Sequence, residues 1–265
     1  MTTTRRLSLA YLALTAGVAV LFALNLFWGS VSLTPGAVAA ALLGRGEDAL
    51  AVGIVLQLRL PRAVMVVLLG AALSAAGYLL QTFFANPIAG PFVLGISSGA
   101  KLVVSIFMIL FLGQGLIMNS WVMIGAAFLG AMASMGFVLA VSKKLPQMSM
   151  LVVSGIMIGY ICSAVTDFIV TFADDANIVN LHNWSKGSFS GITWDNVVIM
   201  AIVVGITSIC VFLMSKPISA YQMGESYAQN MGLNVQLFRI LLVLLSSILS
   251  ACVTAFAGPV SFVGI

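Results

Sequence analysis

The stretch Leu58–Ala100, "LRLPRAVMVVLLGAALSAAGYLLQTFFANPIAGPFVLGISSGA", decides the fold class of this chain. It has no charged residue after Arg62, and its first apolar run, 62–84, exceeds the about 20 residues that a membrane-spanning helix needs. The prolines of "NPIAGP" then interrupt the run, because proline breaks a helix. The stretch therefore predicts two membrane-spanning helices joined by a turn.

The composition of the 265 residues excludes a soluble protein. Hydrophobic residues make up 62% and charged residues only 7%, whereas a soluble domain typically has about 25% charged residues. A transmembrane β-barrel would show alternating segments of about 10 residues, which the sequence lacks. The net charge of +4 is small, and we attribute it to membrane topology rather than to nucleic-acid binding. The chain is therefore predicted to be an all-α, polytopic bundle of membrane helices in contact with lipid.

Seven apolar segments have the length of a membrane-spanning helix. Glycines recur in them at helical spacing, as in Gly95 with Gly99 and Gly155 with Gly159, and small residues let helix backbones approach closely in lipid. This spacing predicts a compact bundle. The segments cover about 8–28, 62–84, 93–112, 118–141, 149–171, 193–214 and 237–257.

Lysine and arginine determine the predicted orientation, since cytoplasmic loops are enriched in both. Their distribution favours a multi-pass protein with a cytoplasmic N-terminus. Several outer arginines oppose this rule and need an explanation of their own. The predicted inner side holds Arg5, Arg6, Lys143, Lys144, Lys216 and Arg239, and the outer side holds Arg45, Arg59, Arg62 and Lys186.

The sequence contains no recognisable arrangement of catalytic or metal-binding residues. The sequence shows no nucleophile–base pair, no paired carboxylates and no phosphate-binding P-loop, so we expect no enzymatic activity. His182 and the three cysteines have no metal-ligand spacing. We therefore expect this chain to bind neither a metal nor a cofactor.

One polar segment, 215–236, interrupts the apolar sequence. Within it Gly224 and Gly232 flank "ESYAQNM", which has the length of two helical turns. A glycine such as Gly232 suits the left-handed position that ends a helix. The residues leave two interpretations open: a short amphipathic helix lying on the bilayer, or a helix presented to a soluble partner.

The segment "MGESYAQNMGLNVQLFR", Met223–Arg239, resembles the coupling loop of the FecCD-type permeases, the membrane subunits of type II ABC importers for ferric siderophores, haem and cobalamin. Met223 and Met231 replace leucines of the family pattern "LGE..A..LG". The residues that match this pattern are Gly224, Glu225, Ala228, Gly232 and Leu233. The resemblance extends to other parts of the chain, namely Leu58–Ala100, "VSGIMIGYICSAV", "NWSKGSFSGITW" and "AGPVSFVGI".

The resemblance also implies partners and a location. The loop would form coupling helices seated in a cleft of an ABC ATP-binding subunit, which uses ATP and Mg while this chain receives the motion. The permease would work as a homodimer or heterodimer in the bacterial cytoplasmic (inner) membrane, supplied by a periplasmic or lipid-anchored substrate-binding protein. An iron–siderophore complex is the expected cargo. Cobalamin or haem, or an ion-coupled secondary transporter, are the alternatives.

Arg59 and Arg62 of "LRLPR" precede the second span on the predicted outer side. Their side chains could simply extend to lipid headgroups. The resemblance implies instead that both receive carboxylates of the substrate-binding protein, and exposed arginines suit bidentate carboxylate recognition.

Asn86, Pro87 and Ile88 lie in the predicted cytoplasmic turn between the second and third spans. The residues alone indicate a turn with a helix-breaking proline, whereas the resemblance implies that Asn86 and Ile88 belong to the cytoplasmic gate. Met148 and Ser149, at the start of the fifth span, correspond to a second layer of that gate. The family has small hydroxyl residues there, so Met148 departs from its pattern.

Asp167 is the one acidic residue well inside an apolar segment. An intramembrane carboxylate is costly and is therefore a functional candidate. Three interpretations stay open: it lines the pathway near the outer mouth, it pairs with another helix, or it lies near enough to the interface to be hydrated.

The resemblance implies about ten spans of about 20 residues each, whereas seven are found here. We therefore expect 1–265 to be a single transmembrane permease domain that is truncated at its C-terminus, with 215–236 as its cytoplasmic coupling-helix loop.

Overall fold

The computed structural model describes residues 3–112, 120–142, 148–173 and 175–260. All regular secondary structure in these ranges is helical, which confirms the all-α prediction. The helices are α1 (Thr3–Phe27), α2 (Pro35–Leu42), α3 (Ala49–Gly53), α4 (Leu60–Phe84), α5 (Ile96–Leu112), α6 (Ser120–Ser142), α7 (Met148–Val170), α8 (Asp175–Ser185), α9 (Trp194–Leu213), α10 (Ser215–Gln222), α11 (Glu225–Asn230) and α12 (Val235–Ala257), with a π-helix at Ile54–Arg59 and a 3-10 helix at Pro91–Leu94.

The apolar helices agree with the seven predicted segments. Six helices in the described ranges are long and apolar enough to cross a membrane. A seventh apolar helix, α5, has 17 residues, at the lower end of the about 17–25 residues that a span takes. The protein is therefore a polytopic membrane protein.

The second of these helices is longer than the sequence led us to expect. The prediction began it after Pro61, whereas the helix runs unbroken over Ala49–Phe84. In the π-helical pattern, the N–H that Pro61 lacks would have bonded to the carbonyl five residues earlier, that of Leu56. The indole Nε1 of Trp194 donates a hydrogen bond to that oxygen at 2.9 Å. Trp194 thus replaces the donor that proline removes, and the helix continues through it.

One compact unit comprises 1–67 and 190–198. It holds α1, α2, α3, the π-helix and the first turns of α4 and α9. The Thr34 hydroxyl caps the start of α2 by accepting a hydrogen bond from the backbone N–H of Ala37 at 3.3 Å. The small buried core of this unit consists of Leu26, Val38, Ala41, Val55 and Ala63.

The second compact unit comprises 68–189 and 199–265. Its larger core gathers apolar side chains from α4, α5, α6 and α12. The most deeply buried of the large side chains in this core include Leu79, Leu80, Leu94, Ile96, Met135, Ile218 and Leu242.

Glycines in the second unit bring helix backbones together. A Cβ added to Gly95 would lie 3.0 Å from both the carbonyl oxygen of Gly155 and the amide nitrogen of Gly159. One added to Gly130 would overlap the carbonyl oxygen of Gly99. The close approach predicted from the spacing of these glycines is therefore confirmed for α5 with α7, and α5 also meets α6 at a glycine.

Helix α12 is anchored along its whole length within the second unit. Asn234 caps its start, because the Asn234 side chain accepts the N–H of Leu237 at 3.1 Å. At its middle, the Ser246 hydroxyl donates to the carbonyl of Ala76 at 3.0 Å. At its end, the carbonyl of Ala257 accepts the N–H of Ser188 at 2.8 Å. Hydrogen bonds therefore tie the middle and the end of α12 to other parts of the second unit.

Candidate functional site

The polar segment folds into two short helices, α10 and α11. The predicted two-turn helix after Gly224 is present as Glu225–Asn230. Gly224 joins the two helices at φ 123°, a conformation that L-residues rarely adopt. The segment is therefore helical on both sides of a single glycine joint.

Helix α11 ends in the manner that its glycine predicts. Gly232 has φ 84°, and its N–H bonds to the carbonyl of Gln229 at 2.9 Å. The N–H of Leu233 bonds to the carbonyl of Ala228 at 3.0 Å. These two hydrogen bonds form a Schellman motif, which satisfies carbonyls that a helix end leaves unpaired.

A set of contacts fixes this segment to α12. Glu225 Oε2 forms an ion pair with Arg239 Nη2 at 2.7 Å, and Arg239 Nε donates to the Tyr221 hydroxyl at 3.1 Å. The Tyr221 ring also packs on Phe238, with 5.2 Å between ring centroids. Ala228 is fully buried. Glu225 and Ala228, which the resemblance assigned to coupling, thus hold α11 in place.

A second link connects α10 to the end of α4. The amide Nε2 of Gln222 lies 3.3 Å from the Tyr78 hydroxyl and 3.3 Å from the Thr82 hydroxyl. Both partners lie in the last two turns of α4. Gln222 therefore links α10 to the helix end that leads into the Asn86 turn.

The predicted gate turn and the coupling segment line the same cleft. The cleft has a volume of about 540 Å³. Asn86 and Pro87 form part of its wall, as do Gly224 and Glu225. The structure thus brings together residues that the sequence treated as two separate groups.

The turn itself is closed by hydrogen bonds of its own. The side chain of Asn86 accepts the N–H of Ile88 at 3.0 Å, and the N–H of Asn86 bonds to the carbonyl of Gln81 at 3.1 Å. Ile88 is 71% exposed. Ala85, just after α4, has φ 47°, the left-handed region that a side chain disfavours.

Replacing Ala85 with glycine should stabilise the permease. A left-handed residue other than glycine costs about 1–2 kcal/mol of folding free energy, which glycine would relieve. Part of this gain, about 0.5–1 kcal/mol, is offset because glycine loses more conformational entropy on folding than alanine does. We expect a rise in the melting temperature of about 1–3 °C in mild detergent for Ala85→Gly. Ala85→Val should lower it, since a β-branched residue tolerates this conformation less well. A lower melting temperature for Ala85→Gly would contradict the described turn.

The outer surface of the coupling segment is apolar. Met223, Tyr227 and Met231 are 70%, 47% and 65% exposed. Together with Lys216 they line a shallow depression of about 340 Å³. Exposed apolar groups of this kind mark a contact with a protein or a membrane, so both interpretations of the segment require this surface to be covered.

The two arginines of "LRLPR" differ in exposure. Arg62 is exposed, as expected for a docking residue. Arg59 is not: its side chain is 8% exposed and donates to the carbonyls of Leu26, Phe27 and Val31. The expectation that both arginines are exposed is therefore wrong for Arg59, because the end of α1 surrounds its guanidinium.

The other predicted pathway residues are only partly described. Asp167 is exposed in the last turn of α7, and its role stays a prediction. Met148 begins α7, but the side chains of Met148 and Ser149 lie outside the described residues. Across the described ranges, no group of three or more His, Cys, Asp or Glu residues could hold a metal ion.

Some contacts of the coupling segment were missed by the sequence analysis. Gln222 and Arg239 join it to the bundle, yet neither belongs to the coupling pattern taken from the resemblance. Tyr78 and Thr82 did carry a signal, because polar groups four residues apart share one face of a helix. Their partner on a distant segment could not be inferred from spacing alone.

The comparisons with known proteins agree with this architecture. The backbone matches the solved inward-facing conformation of a metal-chelate type ABC transporter with a TM-score of 0.81, at 23% identity, over 96% of this chain and 77% of that one. The fold is thus that of an ABC-transporter permease. Residues 17–265 match the model of the FecCD transport family, and the chain belongs to that family.

Individual relatives are similar at the level of sequence. The vitamin B12 import system permease protein BtuC of Serratia proteamaculans is 35% identical over 257 residues, which cover 96% of this chain and 72% of the relative. The BtuC protein of Klebsiella pneumoniae is 33% identical over 79% of this chain and 62% of its own length. The chain therefore spans about two thirds of the length of these relatives.

Proposed function

We propose that this chain is the membrane-spanning permease subunit of an ATP-driven importer for vitamin B12. The observation on which the proposal rests is the α10–α11 segment, with its exposed apolar surface and its links to both α4 and α12. A segment that merely lay on the bilayer would not need a rigid connection to two buried helices.

In this proposal the partner that hydrolyses ATP, with Mg, binds the surface around Met223, Tyr227 and Met231. Its displacement passes through Gln222 to α4 and through the Glu225–Arg239 pair to α12. Short rigid connections of this kind suit hinge or shear transitions, in which packed elements move as bodies. The turn at Asn86 would then change shape as α4 moves, which opens or closes the pathway on the cytoplasmic side.

Vitamin B12 replaces the iron–siderophore complex as the favoured cargo. The relatives at 33% and 35% identity are named for vitamin B12 import, and those names favour the alternative that the resemblance had also offered. A substrate-binding protein, a second permease copy and the bacterial inner membrane complete the proposed system. The N-terminus is placed in the cytoplasm, by the distribution of lysine and arginine.

An ion-coupled secondary transporter has less support. Such a protein needs carboxylates or broken helices near the middle of the membrane. Asp167, the one candidate from the sequence, lies exposed in the last turn of α7.

Transport in proteoliposomes tests the proposed cargo. The permease would be purified with the ATP-binding subunit encoded beside it, and the matching substrate-binding protein would be added with vitamin B12, a ferric siderophore or haem. We expect ATP-dependent accumulation of vitamin B12 alone. Accumulation of the ferric siderophore instead would overturn the cargo, and accumulation driven by an ion gradient without ATP would overturn the importer class.

A further inference from the structure

Two sequence blocks that have no part in the coupling segment meet in the second unit. The block "NWSKGSFSGITW" begins in the last turn of α8, and the block "AGPVSFVGI" begins at the last residue of α12. The backbone N–H of Ser188, in the first block, donates to the carbonyl of Ala257, in the second, at 2.8 Å. The end of α12 is therefore joined to the segment that follows α8.

Two glycines let the backbones touch at this place. Gly258 has φ 78° and ψ −177°, a conformation that is almost confined to glycine. A Cβ added to it would lie 2.5 Å from the carbonyl oxygen of Trp184 and 3.1 Å from the Cα of Gly187. Gly187 has φ 74°, and a Cβ there would lie 3.3 Å from the carbonyl oxygens of both Ala257 and Pro259. The Gly187–Gly258 contact is thus made by backbone atoms alone.

This contact lies at the opposite end of α12 from the coupling segment. Helix α12 has 23 residues and is therefore about 35 Å long, enough to cross a hydrocarbon layer of about 30 Å. Near its start, Arg239 forms the 2.7 Å ion pair with Glu225. One continuous helix thus connects the coupling segment, on one side of the membrane, to the Gly187–Gly258 contact on the other.

Helix α8 and the end of α12 also share a core. Leu181 of α8 and Ala255 of α12 belong to the same buried cluster, and Trp184 packs against it. The carbonyl of Trp184 is a backbone group and cannot rotate away from Gly258 as a side chain could. A shift of the end of α12 toward Trp184 would therefore have to move the end of α8.

We propose that Gly187 and Gly258 are positioning residues that carry the displacement of α12 to α8, across the membrane from the coupling segment. This inference rests on the proposed function, since it adds a mechanical route to that importer. Coupling between two sites is reciprocal. An event on the α8 side, such as the arrival of cargo-loaded binding protein, therefore reaches the ATP-binding subunit by the same route.

Hydrogen exchange tests whether the contact persists while the transporter works. The complex with its ATP-binding subunit would be placed in lipid nanodiscs, with or without a non-hydrolysable ATP analogue, and exchange at the Ser188 amide would be followed by mass spectrometry. We expect slow exchange that changes less than twofold between the two states, because the contact travels with α12. Exchange that is at least tenfold faster in either state would show that the contact opens, and would overturn the proposal.

A graded series of alanine substitutions tests what the contact transmits. Gly258→Ala places a methyl group against a backbone oxygen at 2.5 Å, and Gly187→Ala makes a milder approach at 3.3 Å. Gly191→Ala is the matched control, because Gly191 has a left-handed φ of 83° but a Cβ there meets nothing within 4 Å. The three variants share the change from glycine to alanine at a left-handed φ and differ in how closely the new methyl group approaches other backbone atoms.

The readout is the ratio of ATP hydrolysis with cargo-loaded binding protein to basal hydrolysis, measured on monodisperse complexes. We expect basal rates within twofold of the wild type throughout. The ratio should fall at least fivefold in Gly258→Ala, twofold to threefold in Gly187→Ala, and stay unchanged in Gly191→Ala. If Gly258→Ala does not fold, Gly187→Ala decides the question.

The outcomes separate this inference from the function on which it rests. An unchanged ratio in folded Gly258→Ala or Gly187→Ala protein would overturn the proposal, since the contact would then only stabilise the fold. Equal losses in Gly187→Ala and Gly191→Ala would overturn it too, because backbone strain alone would explain them. A wild-type complex without any stimulation would overturn the proposed function, while exchange at Ser188 would still show whether the contact exists.

Discussion

Replacing Gly130 with alanine will remove most of the folded permease. The added methyl group would overlap the carbonyl oxygen of Gly99, a backbone atom that cannot rotate away. Helices α5 and α6 would have to separate, and the contacts along their shared faces would be lost. Overpacking of this kind costs about 3 kcal/mol when the backbone must move, and in lipid no hydrophobic force drives the two helices back together.

The measurement is the yield of monodisperse protein in mild detergent, together with its melting temperature. Gly125→Ala is the matched control on the same helix, since a Cβ at Gly125 meets nothing within 4 Å. We expect the control to match the wild type and Gly130→Ala to lose at least nine tenths of the monodisperse peak. Equal yields for the two variants would show that α5 and α6 do not meet at Gly99.

Combining Glu225→Arg with Gly232→Val should abolish the stimulation of ATPase activity by cargo-loaded binding protein. Valine at φ 84° is a strained conformation that costs about 1–3 kcal/mol, and α11 has only six residues with which to compensate. The new arginine would face Arg239 at the place where an ion pair now closes to 2.7 Å. Both changes act on α11 and leave the packed glycines of the bundle untouched.

The assay is ATP hydrolysis by the reconstituted complex, with and without cargo-loaded binding protein. Gly205→Ala, in α9, serves as the control because an added Cβ at Gly205 meets nothing within 4 Å, and it should retain full stimulation. Adding Arg239→Glu to Glu225→Arg alone should restore part of the response, since the pair is re-formed with its signs exchanged. Stimulation that persists in the Glu225→Arg, Gly232→Val protein would refute a coupling role for α11.

The membrane helices were predictable because lipid imposes a simple rule on their length and composition. Over their described residues, all seven apolar segments lie largely within helices. The exception at the start of α4 has a local cause. Pro61 predicts the start of a helix. The helix continues past Pro61 because Trp194, which is distant in the sequence, supplies the missing hydrogen-bond donor.

The polar segment was predictable in its local geometry and less so in its contacts. Gly232 ends α11 as its position in the sequence indicates, because a left-handed residue favours glycine wherever it occurs. The contacts of Gln222 with Tyr78 and Thr82 join residues that are 140 or more positions apart. Such pairs depend on how the helices pack, and periodicity within one helix contains no information about its neighbours.

The arginines of "LRLPR" show that the exposure of a residue also could not be predicted from the sequence. Charge and position favoured two exposed residues, and Arg62 is exposed. The burial of Arg59 depends on the end of α1 folding over it and on the absence of a side chain at Gly29. A motif identifies which residues are present, whereas their exposure depends on the surrounding chain.

The attachment of α1 also has a consequence for the lipid around the protein. None of its apolar window is buried within the described chain, and its last turn is fixed by Arg59 and by the core around Leu26. A helix of 25 residues is about 37 Å long, which exceeds the about 30 Å of a typical hydrocarbon layer. Because the contacts lie at one end of α1, we expect the rest of the helix to tilt until its length matches the local thickness. Thinner or thicker bilayers should therefore change the angle of α1 first.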